Sequence, residues 1–230
     1  MKKYLTVILL IFISNLAFSQ KEKPCGMKDG LQEGTCKQFY SNGKINLIEN
    51  WKKGKKEGIG QYYFENGQLQ ATGSFTKDKK NGLWKYYYNN GTLSAEEKFI
   101  YKDFAEVKEG NFKKFYENGK PKENYTYVDG KLEGNFTSYY VSGNIKESAT
   151  YVNDLLQGEF KEYYENGKPS QIRLFKDGLN NGNAVSYHPN GEVKCTSAFV
   201  NGKREGERIC KDEKGKIVTK EFYKNDVKIK

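Results

Sequence analysis

The chain has 230 residues, with 39 Lys and Arg against 29 Asp and Glu and a formal net charge of +10, and its mean hydropathy is −0.88. Only 36% of the residues are hydrophobic, yet 18 are Tyr, 14 Phe and 2 Trp, beside 24 Gly and 4 Pro. Such an aromatic content excludes a disordered polypeptide, and so few aliphatic residues exclude a thick aliphatic core; a thin or repetitive β structure with glycine turns satisfies both.

Met1-Lys2-Lys3 precedes an apolar run from Leu5 to Leu16, and Ala17-Phe18-Ser19 supplies small residues for cleavage before Gln20. This reads as a signal peptide over residues 1–19. The run is short for the ~30 Å of hydrocarbon that an anchor must span. Glu22-Lys23-Pro24 before Cys25 disfavours a lipidated cysteine. An exported chain is therefore expected, periplasmic, secreted or on the cell surface, and loss of Lys2 and Lys3 lowers its charge to +8.

After a lead-in at 20–29, one unit recurs through residues 30–226, leaving a tail at 227–230. Its anchors are Gly34, Gly58, Gly82, Gly110, Gly134, Gly158, Gly182 and Gly206, spaced by 24 residues except for 28 between Gly82 and Gly110. Nine residues after each anchor stands a second glycine, six of the eight preceded by Asn, as in Asn66-Gly67. Asn-Gly between apolar segments predicts a two-residue type I′ hairpin turn, so each unit is one hairpin. Links such as Asp177-Gly178 read as the return turns on the opposite edge. The fold class expected is all-β, an elongated single-layer antiparallel meander of eight hairpins.

Centring each hairpin on Asn-Gly pairs residues whose offsets from the anchor add up to 17. Offsets 2, 4, 6, 11, 13, 15 and 17 then share a face. Offset 17 is aromatic throughout: Trp51, Phe75, Phe99, Tyr127, Tyr151, Phe175, Phe199 and Tyr223. The other face is mainly polar except at offset 5, where Phe39, Tyr63, Tyr87, Phe115, Tyr139, Tyr163 and Tyr187 form a candidate binding stripe. About sixteen strands at ~4.8 Å give a ribbon roughly 75–80 Å long.

Four cysteines in an exported chain predict two disulfides. On the 24-residue grid Cys195 and Cys210 have offsets adding up to 41, and so do Cys25 and Cys36. One shared cross-strand register predicts Cys25–Cys36 and Cys195–Cys210, each closing one end of the array.

No nucleophile elbow, P-loop, zinc cluster or dinucleotide fingerprint is present, so no catalytic residue, metal or cofactor is expected. The one histidine, His188, falls at offset 6, where the five preceding units have Phe64, Tyr88, Tyr116, Tyr140 and Tyr164, and reads as a substituted sheet aromatic. Glu33, Glu57, Glu109, Glu133 and Glu205 precede anchor glycines, and this recurrence favours a turn or surface-charge role over acid–base work. Lysines such as Lys52, Lys53, Lys55 and Lys56 keep turns soluble or contact anionic groups. The four residues inserted around Tyr101 to Val107 are the one break in spacing.

Glu133-Gly134-Asn135-Phe136-Thr137-Ser138-Tyr139-Tyr140, then Ser142-Gly143, with Tyr127-Val128-Asp129-Gly130 ahead of them, resemble the units of MORN-repeat proteins in their diverged bacterial YwqK-like form. The resemblance covers about Gly26 to Asp226. It implies single-layer hairpin arrays used for protein binding, scaffolding or membrane-lipid contact, and bacterial members are often labelled antitoxins. The signal peptide departs from a cytosolic antitoxin, and Lys211 and Asp212 replace the aromatic pair of the eighth unit, as in a polar cap. The expected function is an exported, non-enzymatic protein-binding or scaffold module of the cell envelope, whose partner is a protein or envelope component rather than nucleic acid. The alternatives are a glycan or anionic-lipid binder and an immunity-type protein that neutralises a toxin.

Overall fold

The structure is a computed structural model that describes residues 25–229; the leader expected at 1–19 lies outside them. It is all β. The fifth unit shows the pattern: Gly134–Tyr139 runs out, Ile145–Val152 returns, and Leu155–Leu156 starts the next outward strand. Gly134 faces Tyr151 and Ser138 faces Glu147, the expected register, before a slip of one residue sets Tyr139 opposite Ile145. The same slip occurs in every unit.

Two expectations are corrected here. The Asn-Gly turns are not type I′: only the glycine has positive φ, 80° at Gly43, and Gly43 N–H donates to Tyr40 O over 2.9 Å. This is a three-residue loop, a type I turn closed by a left-handed glycine in a bulge. The type I′ turns lie on the opposite edge, where both central residues have positive φ, as at Asp129 (47°) and Gly130 (81°). Asp and Asn tolerate that region better than other side chains, which is why Asp-Gly and Asn-Gly serve there.

The second correction follows from the slip. An extra residue at offset 12, Lys146 in the fifth unit, bulges out of the return strand, so offset 11 pairs with offset 5 and not with the packed face. Ile145 therefore stands beside Tyr139, and Leu93 beside Tyr87, on the face opposite Phe136 and Trp84.

The strands follow one another in chain order, and the main contacts between them join close neighbours in the sheet. Among the described residues no position of Val227–Lys228 is in register with Gly34–Phe39, so the sheet is open at both ends although its strand order can be written as a ring. With no second layer, the packed face must cover itself. Offset 2 is its buried row, with Cys36, Trp84, Phe112, Phe160 and Ala184 among the buried residues. Trp84 lies edge-on to Phe75, with ring centres 4.9 Å apart, and its indole N–H donates to Ser74 O at 3.0 Å. The indole rests on Gly73, where a Cβ would come within 2.3 Å of it. Phe112 likewise packs edge-on against Tyr127 at 4.9 Å and Phe99 at 5.9 Å.

Both disulfides form as read from the register. Cys195 is directly opposite Cys210, with Cα atoms 4.1 Å apart. Cys25 joins Cys36 with Cα atoms 4.6 Å apart. The grid continues upstream of the first anchor: Met27–Lys28 pairs with Leu31–Gln32, and Glu33 N–H donates to Gly26 O as Glu57 N–H does to Asn50 O. This segment is the return half of a further hairpin, tied to the first complete one by the bridge.

Gly73→Ala should lower the chemical-denaturation midpoint by the equivalent of about 1–3 kcal/mol, the usual cost of overpacking, because the new methyl displaces Trp84. An unchanged midpoint would show that the indole is not seated on this glycine.

Candidate binding surfaces and the lacing of the repeats

At the Asn-Gly edge, side chains of one unit bond the backbone of the next. The offset-6 phenol donates to the offset-5 carbonyl one unit on: Tyr40 to Tyr63 O (2.6 Å), Tyr88 to Phe115 O (2.8 Å), Tyr116 to Tyr139 O (2.6 Å), Tyr140 to Tyr163 O (2.6 Å) and Tyr164 to Tyr187 O (2.7 Å). His188 takes the same place, with Nε2 2.8 Å from Lys211 O. A carbonyl only accepts, so Nε2 carries the proton. This histidine is the substituted aromatic that its position suggests. Phe64 has no hydroxyl with which to make this bond.

The turn asparagines have a role that the hairpin reading missed. In Asn42 the side-chain oxygen accepts from Lys44 N–H (3.0 Å) while its amide donates to Glu65 O in the next turn (3.1 Å). Asn166 repeats both bonds, to Lys168 N–H and Pro189 O. Lys44 and Lys168 add ammonium bonds to Asn66 O (2.7 Å) and Asn190 O (2.6 Å). The signal was the amide side chain itself, which can accept within one turn and donate to another.

On the opposite edge the glutamates before the anchors cap the return turns. Carboxylates of Glu33, Glu57, Glu109, Glu133 and Glu205 accept from the backbone N–H groups of Lys53, Lys77, Asp129, Asn153 and Asn225 at 2.8–3.0 Å. Turn N–H groups then donate to the flanking strand, as Gly130 N–H does to Lys108 O at 3.0 Å. The anchor glycine beside each glutamate has positive φ, 85° at Gly34 and 78° at Gly134, because the outward strand bulges there.

Cations roof the packed face. Lys80 Nζ stands 4.9 Å from the Trp84 ring centre and 5.1 Å from that of Phe99, and donates to Tyr86 Oη at 2.7 Å. Arg204 covers Tyr223 at 4.7 Å. Buried Glu49 accepts from Lys56 Nζ and Tyr62 Oη, both at 2.6 Å. Burial first, and then the Glu49 carboxylate, push the Tyr62 phenol well above its ordinary range. In the last unit Glu221 accepts from Lys228 (3.1 Å), Arg208 (2.8 Å) and Tyr223 (2.9 Å), which hold its carboxyl down at about 2.

The opposite face carries the stripe. All seven of Phe39, Tyr63, Tyr87, Phe115, Tyr139, Tyr163 and Tyr187 lie on it, each beside an apolar partner: Ile45, Leu69, Leu93, Pro121, Ile145, Pro169 and Val193. Partners directly opposite share a face, so these pairs form one aromatic–aliphatic row. At ~4.8 Å per strand it crosses about 60 Å of sheet. Phe39 is 43% exposed and Ile145 42%, and the tyrosines are half-buried. A third surface lies at the inserted residues, where Tyr101 and Phe104 flank a groove lined by Lys52, Lys53, Lys55, Lys77 and Lys79.

Tyr140→Phe should cost about 1 kcal/mol of unfolding free energy by removing the bond to Tyr163 O, and Phe64→Tyr should add a comparable amount by supplying the missing donor. Equal, near-zero shifts in thermal melts of both variants would contradict the latch. Glu221 is held below its ordinary carboxylate value of 4.5, so its contribution is present above that pH and is lost as pH falls from there toward about 2. Acid titration of the last hairpin should accordingly flatten over that window in Glu221→Gln, and an unchanged profile would remove Glu221 as its cause.

No curated protein matches the chain. Among solved structures, the chain is matched to a porin-like protein from Bacteroides uniformis ATCC 8492, 10% identical over 84% of this chain and 90% of that one, with a TM-score of 0.19; so low a score carries no argument. The description "MORN repeat variant" matches residues 32–53, 56–77, 80–101, 108–129, 132–153, 156–177 and 204–225. The seventh unit lies outside these matches, although Gly182 pairs with Phe199 as in the other hairpins. Since the seven matches span more than half of its length, and the hairpins that they cover share one register and one set of turn bonds, the chain belongs to the MORN-repeat family in its variant form.

Proposed function

We propose that this chain is an exported, non-enzymatic scaffold of the cell envelope that binds another protein along the aromatic–aliphatic row. The observation that carries this reading is the row itself. Seven consecutive units place an aromatic residue and an apolar partner on the face that has no aromatic core of its own. Uncovered apolar surface of that extent is typical of interaction sites, and tyrosine gives contact area at low entropic cost. The side chains that resemble catalytic groups serve the backbone: the anchor glutamates cap turns and His188 latches two units. The two disulfides fit an oxidising compartment.

The test is affinity capture from envelope extracts with the tagged mature chain, beside a triple variant carrying Tyr63→Ala, Tyr139→Ala and Tyr163→Ala. The parent should retain a protein partner above about 0.5 M salt, where surface charge is largely screened. The variant should lose it while keeping the circular dichroism of the parent. Recovery of the same proteins by both chains would remove the row as the binding surface.

A further inference from the structure

The four-residue insertion extends one return hairpin beyond the edge of the sheet. Ile100 with Val107 occupies the place of the last pair in the other units, and two further pairs, Tyr101 with Glu106 and Lys102 with Ala105, carry the turn about 7 Å outward. The finger is held from both sides: the Glu106 carboxylate accepts from Lys80 N–H at 3.0 Å, and Lys102 Nζ meets Asp129 Oδ1 at 2.6 Å. At its tip Asp103 and Phe104 have φ of 52° and 63°. The equivalent second turn position is Gly or Asp in every other unit, such as Gly54, Asp78, Gly130 and Asp154. A bulky aromatic is disfavoured at positive φ, and strain of this kind concentrates at functional sites. Phe104 is nonetheless 81% exposed, so packing does not hold it there.

Beside the finger is a groove of about 700 Å³ lined by Lys52, Lys53, Lys55, Lys77 and Lys79, by Glu57 and Asp78, and by the rings of Tyr101 and Phe104. The five lysines are exposed, and none has a carboxylate partner among the ion pairs of the described residues. Lys77 Nζ lies 5.8 Å from the Tyr101 ring centre. The two carboxylates each spend one oxygen on a backbone N–H, of Lys77 and Lys56 respectively, and keep acceptor capacity toward the groove.

We propose that this groove binds an anionic polysaccharide. Unpaired ammonium groups match carboxylates or sulfates along the chain, and the flat ring of Phe104 suits the apolar face of a pyranose. The carboxylates of Glu57 and Asp78 suit sugar hydroxyls, which donate as well as accept. A phosphatidylglycerol headgroup can offer hydroxyls to those carboxylates and an acidic peptide its backbone N–H groups, but neither combines a row of hydroxyls with a flat apolar ring face for Phe104 to cover.

The experiment is isothermal titration of the full mature chain with oligogalacturonate, for carboxylate, and with heparin-derived oligosaccharide, for sulfate, alongside neutral dextran, poly-glutamate and vesicles containing phosphatidylglycerol. At least one anionic oligosaccharide should bind, more weakly as salt is raised, and dextran should not. Phe104→Gly relieves the left-handed backbone, so it should fold at least as stably as the parent while binding at least fivefold more weakly. A triple variant with Lys52→Ser, Lys55→Ser and Lys79→Ser should lose at least tenfold, and the triple tyrosine variant of the row should bind as the parent does. Binding of neither anionic oligosaccharide, preference for the vesicles or poly-glutamate, or full binding by Phe104→Gly would overturn the proposal.

Discussion

A single β layer has no partner to cover its apolar face, and the rest of this structure answers that constraint. In a two-layer protein an aromatic row is buried by the facing sheet or helix. Here Trp84 lies across Gly73 within its own sheet, edge-on to Phe75, and Lys80 closes it from above. Elsewhere on the packed face a ring faces a small or charged residue, as Phe136 faces Ala149 and Phe160 faces Arg173, or stacks on another ring, as Phe112 does on Tyr125. The composition follows: many aromatics, many glycines, many lysines, few aliphatics.

The same constraint shapes the edges and ends. Hairpins held by ladder bonds alone would be free to slide or splay, and the side-chain bonds between successive turns fix their spacing on both edges. On one edge these come from Tyr, Asn and Lys, on the other from Glu and the turn backbone itself. Terminal units have only one neighbour, and there the chain adds covalent bridges, Cys25–Cys36 and Cys195–Cys210, and the Glu221 network. Since backbone spacing is set at the edges, the aromatic–aliphatic row on the outer face is not what fixes the hairpins, and the finger projects beyond the return-turn edge.

Much of this was legible in the sequence, because a 24-residue period repeated eight times averages away local ambiguity. The cross-strand register followed from where Asn-Gly falls, and the disulfides from the register. The turn type did not follow, since Asn-Gly serves both a two-residue type I′ turn and a three-residue loop whose glycine alone is left-handed; only the φ of Asn42 and its fellows separates them. The one-residue slip at offset 12 was equally hidden, because residues such as Lys146 and Ser170 carry no mark of a bulge. That slip moved offset 11 to the outer face and turned a stripe of tyrosines into a row of pairs. Of the surfaces, the stripe was visible as a column of like residues. The finger showed only as a break in spacing, since the groove depends on lysines of two earlier units reaching the same edge.

That the sheet is one open layer is tested most directly by small-angle X-ray scattering of residues 20–230. A compact chain of 211 residues, 20–230, has a radius of gyration of about 17 Å. An open array of about sixteen strands at ~4.8 Å spacing should exceed about 22 Å, with a pair-distance distribution skewed to long distances. A value near 17 Å with a symmetric distribution would mean that the sheet closes or folds back on itself, contradicting the open single layer.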